Sequence, residues 1–261
     1  MAAKKIAIMN TKGGVAKSTT AWALCGELNR RGYRTLLVDT DQNKGSTMLY
    51  NAKTEGEYTL YDLIFTKGVK IAQCIQHTDQ GDIVPCDELL TDADTKIPQS
   101  PKMYRYLSKA FQDIENDYDF IIIDSGQRRS LLGNMIMAAD YVIFPVKCDL
   151  LSTGGFASDY ALISEFEEDS SVKILGILRT VYSKRETNQK RIEGVIQAYG
   201  DAMNTSMFNA TIRKSAACEQ AQALSIGLAA YAPKAGVTED YAAFADECLA
   251  RISKMEGETN G

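Results

Sequence analysis

At 261 residues and 28.7 kDa, the chain fits one large α/β domain or two small ones, and it is long enough to bury a substantial core. Its 29 Lys+Arg against 34 Asp+Glu give a net charge of −5, which excludes a polycation that coats nucleic acid along its whole length and leaves room for a local basic patch. Hydrophobic residues make up 45% of the chain and prolines number only 5, so disorder is not expected; no apolar run approaches the roughly 18–20 residues of a membrane span.

In chain order, short β-branched runs predict strands at Lys5–Met9, Thr35–Val38, Asp82–Pro85, Phe120–Ile123, Tyr141–Val146, Lys173–Leu178 and Met207–Thr211. Between them, helical patterns cover Ser18–Arg31, Met103–Ile114, Leu131–Ala138, Gly155–Phe166, Gln189–Tyr199 and Thr238–Met255. Phe120–Ile123 is apolar at every position, which suits a strand covered on both faces. The alternation implies an α/β fold: a doubly wound, mostly parallel sheet with helices on both faces. The expected organisation is a single domain over residues 1–255, a frayed polar tail at 256–261, and a surface excursion over Asp87–Pro101. The N-terminal apolar stretch is too short for a signal-peptide core. The cysteines (Cys25, Cys74, Cys86, Cys148, Cys218, Cys248) form no C-x-x-C pair and read as reduced thiols of a cytoplasmic protein. A single histidine, His77, leaves no His-based metal site or His-centred triad.

Chemistry concentrates in the segment Asn10–Thr20, which leaves the first strand and opens the first helix. Gly13 and Gly14 let the backbone bend so that N–H groups around Val15 and Ala16 converge on an anion, and the helix start at Ser18 and Thr19 adds its positive dipole end. Lys17 would reach the β- and γ-phosphates and the Ser18 hydroxyl would ligate Mg²⁺. Thr11 and Ala16 stand where the G-x-x-x-x-G-K-[ST] pattern has glycines, so Ala16 is strained if its φ is positive. The plain alternative is a Gly-rich strand–helix turn.

Asp39 and Asp41 lie two apart at the carboxyl end of a strand, where open α/β sheets bind ligands. The plain alternative is a pair of aspartates that cap a loop. Phe120–Asp124 has the Walker B pattern, a buried strand that delivers one acid to its tip, and Asp124 would bind a Mg²⁺-coordinated water. Gly126 is expected to make the following loop mobile, and Arg128 and Arg129 read as surface arginines at the start of a helix.

Lys12-Gly13-Gly14-Val15-Ala16-Lys17-Ser18 resembles the K-G-G-x-x-K-[ST] loop of the ParA/Soj/MinD class of deviant Walker ATPases, and the match extends from Lys5 to about Leu249. The resemblance implies ATP/ADP and Mg²⁺ as cofactors, and a homodimer in which Lys12 reaches the nucleotide of the other subunit. It gives Asp39 a supporting role toward Mg²⁺, Asp41 the orientation of the attacking water, and Thr180 a place near the adenine base. Two stretches depart from the family: Gln42-Asn43-Lys44 lacks a proline and shifts the glycine, and Ser125-Gly126-Gln127 replaces x-P-P. These departures keep open a switch that binds ATP and barely hydrolyses it.

From Lys173 to Lys214, eight basic residues face three acidic ones, a surface suited to sequence-independent contact with DNA phosphates; the alternative is an ordinary solvated face. Arg185, Arg213 and Lys214 are the candidate contacts, while Ala216 stands where the family often has a further arginine. The expected function is an ATPase switch that partitions plasmid or chromosomal DNA with a ParB-like partner, cytoplasmic and on the nucleoid when ATP-bound, with slow intrinsic hydrolysis and no membrane partner. The length leaves no room for an added N-terminal helix-turn-helix domain. A MinD-like membrane-cycling ATPase is disfavoured because the C-terminus is too short and acidic for an amphipathic anchor. A nitrogenase-iron-protein-like carrier needs cluster-clamping cysteines that Cys86 and Cys148 do not supply. A P-loop ligase or kinase has no use for Lys12, and a conjugation or transposition accessory remains inseparable from partitioning.

Overall fold

The structure is a computed structural model that describes residues 2–97, 104–147, 156–166, 168–183 and 189–259. The seven expected strands form within two residues of their expected ends, except that the run from Lys173 continues to Tyr182. In chain order the elements are β1 (Lys4–Ile8), α1 (Lys17–Arg30), β2 (Thr35–Asp39), α2 (Gly45–Leu49), α3 (Leu60–Phe65), α4 (Ile71–Cys74), β3 (Gln76–Thr78) and β4 (Gly81–Val84). After a 3₁₀ turn at Glu88–Asp92 come α5 (Ala93–Lys96), α6 (Tyr106–Gln112), β5 (Phe120–Asp124), α7 (Arg129–Ala138), β6 (Tyr141–Lys147) and α8 (Phe156–Ser164). The chain ends with β7 (Lys173–Tyr182), α9 (Gln189–Ala202), β8 (Met207–Arg213), α10 (Ala216–Ala223), α11 (Leu228–Tyr231) and α12 (Gly236–Thr259).

The strands form one eight-stranded sheet in the order β3–β4–β2–β5–β1–β6–β7–β8, parallel throughout except between β3 and β4. Side-chain alternation divides the core between its faces. Ile6 and Ile8 of β1 pack with α1, α10, α11 and α12, whereas Ala7 packs with α3, α4 and α6 to α9 on the opposite face. This is the doubly wound α/β sheet that the strand–helix alternation predicts.

Where the expectations fail, the causes are local. Gln76–Thr78 has no apolar alternation, yet it pairs antiparallel with β4 as the edge strand, and His77 Nδ1 meets Asp82 Oδ1 at 2.6 Å. The aperiodic stretch from Asp87 is not a surface excursion over its described part, since Leu90, Ala93 and Ile97 are buried and Asp94 Oδ1 accepts the Ser130 N–H at 2.8 Å. Helix α12 runs past Glu256, where the tail was expected to fray, to Thr259, and the Glu256 carboxylate pairs with Lys4.

The length of α12 comes from what it covers. Its buried residues Val237, Tyr241, Phe244, Ala245, Cys248 and Ile252 face the sheet and α1, and Phe244 meets Phe208 edge-on at 5.0 Å. Burying each such large side chain is worth about 1.5–3 kcal/mol. Arg251 fixes the helix to β7 and β8: its guanidinium lies 4.0 Å over the Phe208 ring and donates to the carbonyls of Leu175 and Met207. The apolar face of α12 is thus spent on the core, and no described helix is long and apolar enough to cross a membrane.

Candidate nucleotide site

The tips of β2, β5 and β1 are adjacent in the sheet, so the loops that follow them meet on one rim. Asn10, fully buried, starts the first of these loops. Its Nδ2 donates to the Pro145 carbonyl at 2.9 Å, and its Oδ1 accepts the Lys12 N–H at 2.8 Å. The second bond turns the chain off the sheet and leaves Lys12 exposed. Gly14 has φ +74° with open space around its Cβ position, so it is backbone conformation, not crowding, that favours glycine there. Ala16, just before α1, has φ +65° and ψ +36°, which confirms the strain its identity implied and costs about 1–2 kcal/mol.

Lys17 contrasts with Lys12 in exposure. It is buried, and its Nζ donates to the Lys12 carbonyl at 3.1 Å, inside the ring of the loop. Burial pushes its ammonium below the usual lysine range, while the charges of Asp124, Asp41 and Asp159 work to keep it protonated. Asp159, on α8, was missed by sequence reasoning. It is fully buried and accepts the Thr11 N–H on both oxygens, at 3.1 and 3.2 Å. Burial raises its carboxyl to about 6, against the Thr11 hydrogen bonds and the Lys17 charge. Its one signal was a lone acid in the otherwise uncharged run Phe156–Ser164.

Asp39 and Asp124 are register partners on β2 and β5, both fully buried. Asp39 Oδ1 accepts the Asp41 N–H at 2.9 Å, and its Oδ2 accepts the N–H and hydroxyl of Thr47 at 2.8 and 2.7 Å. Both oxygens therefore shape the turn into α2. Asp124 Oδ2 accepts the Ser46 hydroxyl at 2.8 Å, whereas its buried Oδ1 has no partner within hydrogen-bond geometry among the described residues. Burial, then the neighbouring Asp124 charge, pushes Asp39 up. Burial likewise pushes Asp124 up, against the Ser18 and Ser46 hydroxyls and the Lys17 charge. An unpartnered buried carboxylate oxygen beside the Ser18 hydroxyl fits a divalent cation, which removes the cost of the buried charges.

Gly45 explains the shifted glycine. A Cβ at this position would lie 2.5 Å from Ser18 Oγ, so only glycine lets α2 start against the hydroxyl of the phosphate-loop helix. Asp41 is half-buried, and its Oδ1 accepts the backbone and side-chain N–H groups of Asn43 at 3.0 and 2.9 Å. Gly126 does not serve mobility as expected. It is buried, and a Cβ there would stand 2.8 Å from the Thr40 carbonyl oxygen and 2.9 Å from Asp41 Cα, so its role is close backbone packing. The two unusual flanks also meet, since Arg128 Nε donates to Gln42 Oε1 at 2.6 Å. Arg129 pairs with Glu165.

The remaining candidates divide. Thr180 is fully buried and donates to the Val15 carbonyl at 3.0 Å, so it props the loop from β7. Arg213 is not an unengaged cation. Its Nε and Nη2 form a two-pronged pair with Asp240 at 2.7 Å each. Arg179 is likewise held inside the fold by Glu193 at 2.9 Å. Lys214 is exposed beside Arg213, and Arg185 lies outside the described residues. The basic stretch therefore offers DNA fewer available charges than its sequence count implied.

Comparison with known proteins follows this geometry. The AAA domain family model AAA_31 matches residues 3–175. The chromosome-partitioning ATPase Soj of Thermus thermophilus is 28% identical over 255 residues, covering 96% of this chain and 97% of Soj. The chromosome partitioning protein ParA of Caulobacter vibrioides is 26% identical over 254 residues, 94% of each chain. A solved structure of cobyrinic acid a,c-diamide synthase from Mycobacterium smegmatis, with bound ADP and magnesium, aligns with a TM-score of 0.81 at 25% identity over 96% of both chains. The chain belongs to the AAA_31 AAA domain family and is a deviant Walker P-loop ATPase of the ParA/Soj/MinD type. The same synthase has also been solved with a bound ATP analogue and magnesium, at 25% identity and a TM-score of 0.81.

Proposed function

We propose that the chain is an ATP-operated dimerising switch that binds DNA without sequence preference and, with a ParB-like partner, partitions DNA in the cytoplasm, on the nucleoid when ATP-bound. The observation that carries this reading is the opposed placement of two lysines on one loop. Lys17 is drawn inside the loop, while Lys12 is exposed and its side chain has no partner among the described residues. An outward ammonium beside the phosphates is suited to the nucleotide of a second copy, which makes pairing depend on the phosphate charge.

Within one subunit, Lys17 and the loop N–H groups bind the phosphates, and Ser18 with Asp124 Oδ1 would hold Mg²⁺. When bound, the ion neutralises charge on the phosphate oxygens. Asp39 holds the turn into α2 in place beside Ser18, and Asp41 orients the attacking water. Arg128 is tied to Gln42 and Arg129 to Glu165, so neither is available in cis to stabilise developing charge. Intrinsic Mg-dependent hydrolysis is accordingly slow and depends on an external stimulator.

The likeness to cobyrinic acid a,c-diamide synthase favours a second reading, an ATP-dependent ligase, which needs neither DNA nor Lys12. DNA co-sedimentation at low salt, without nucleotide and with ADP, ATP or a slowly hydrolysed ATP analogue, separates the two. Retention with ATP and with the slowly hydrolysed analogue, and not with ADP or without nucleotide, is expected. An ATP dimer that ignores DNA contradicts the partition reading and directs the search to a protein or membrane partner for the same switch.

A further inference from the structure

Gln222 stands on α10, 203 residues along the chain from Thr19, yet its Nε2 donates to Thr19 Oγ1 at 2.7 Å. Thr19 follows Ser18 in the first turn of α1, where unpaired backbone N–H groups and the Lys17 ammonium gather an anion. An amide nitrogen only donates, so Thr19 is the acceptor in this pair and its single proton is left to be given elsewhere. A hydroxyl turned that way adds a donor to a phosphate site, whereas the reverse orientation presents a lone pair to an anion.

The backbone that carries Gln222 is anchored. Its main-chain carbonyl accepts the Ser225 N–H at 3.0 Å, the Ser225 hydroxyl donates to the Met48 carbonyl at 3.0 Å, and Gln80 Nε2 donates to the Ser225 carbonyl at 2.7 Å. The end of α10 is thereby clamped to the end of α2, the helix whose start packs on Ser18.

We propose that Gln222 is a positioning residue for the nucleotide: it fixes the Thr19 hydroxyl as a donor to a phosphate shared by ATP and ADP. This assignment rests on the nucleotide reading of the loop. It ties nucleotide occupancy to α10, the element that follows the exposed Lys214.

The test is titration of the full chain with ADP and with the slowly hydrolysed ATP analogue, with melting temperatures recorded for each variant. Gln222→Ala is expected to weaken both nucleotides by the same factor, roughly 3- to 10-fold. Gln222→Glu is isosteric but can only accept, so it takes the Thr19 proton and is expected to bind more weakly than Gln222→Ala. In a Thr19→Val background, Gln222→Ala is expected to add nothing, because the residue acts through that hydroxyl. Wild-type-like binding by Gln222→Glu, or additive losses in the double variant, overturns the assignment. So does a lowered melting temperature with unchanged nucleotide affinity, the mark of a purely structural contact. A wild-type chain that binds neither nucleotide overturns the nucleotide reading and this assignment with it.

Discussion

Asp39 Oδ2 accepts both the amide and the hydroxyl of Thr47, and that same hydroxyl accepts the Cys86 N–H at 2.9 Å. One threonine thus joins the tip of β2, the short helix α2 and the chain leaving β4, all behind the rim that carries Asp124. Thr47→Val removes the hydroxyl and strands the buried Cys86 N–H, so it is expected to lower stability by about 1–3 kcal/mol. Thr47→Ser keeps both bonds and should stay within about 1 kcal/mol of the wild type. Urea unfolding measures both; equal losses in the two variants would show that the hydroxyl bonds are not what holds this turn.

Two glycines should fail in different ways. A Cβ at Gly45 meets the end of the Ser18 side chain, which can rotate, so Gly45→Ala should fold and lose Mg²⁺-dependent nucleotide affinity. A Cβ at Gly126 meets backbone on two sides, so Gly126→Ala should lose stability by roughly 1–3 kcal/mol. Melting temperature and nucleotide titration separate the outcomes. A Gly126→Ala variant with wild-type melting would restore the mobile-loop expectation.

Asp159 carries a pH signature. Its carboxyl is raised to about 6 in the folded chain from an ordinary value near 3.8. The folded state therefore holds this proton more tightly, and the stability this gives is present below about pH 4 and is lost as pH rises through 6. Asp159→Asn still accepts a hydrogen bond from Thr11, so at pH 7 it should be more stable than the wild type, by up to about 3 kcal/mol. Its advantage should shrink as pH falls from 7 to 4. Chemical unfolding across that range checks this, and an advantage independent of pH would contradict it.

Charge counting alone does not separate paired cations from exposed ones. Arg213 is committed to Asp240, whereas Lys214 is exposed. Lys214→Ala should weaken ATP-dependent DNA retention and reduce the steepness of its salt dependence by about one unit. Arg213→Ala should loosen α12 from β8 and change DNA retention less. A larger DNA defect for Arg213→Ala at equal folded fraction would reverse that assignment.

Most of the sheet was legible because its strands are buried on both faces and read as continuous apolar runs such as Phe120–Ile123. Edge strand β3 was not, since Gln76, His77 and Thr78 carry no apolar signal and only pairing with β4 defines it. The short helices α2 to α5, α10 and α11 span too few residues for a helical period to show. In the site, Lys17, Ser18 and Asp124 follow from spacing along the chain. Asp159 and Gln222 meet the loop only through tertiary packing, 148 and 203 residues from their partners. Gly126 was misjudged for the same reason: a glycine that bends a loop and a glycine pressed against backbone look identical in sequence.

Lys12 is proposed to serve the nucleotide of a second copy, and Lys17 that of its own subunit. Sedimentation velocity of the wild type and Lys12→Ala, each with ADP and with the slowly hydrolysed ATP analogue and Mg²⁺, tests it most directly. The wild type is expected to dimerise with the ATP analogue and not with ADP, and Lys12→Ala to stay monomeric while still binding nucleotide. A Lys12→Ala chain that dimerises as the wild type does, or a wild type that remains monomeric with the ATP analogue, would contradict it.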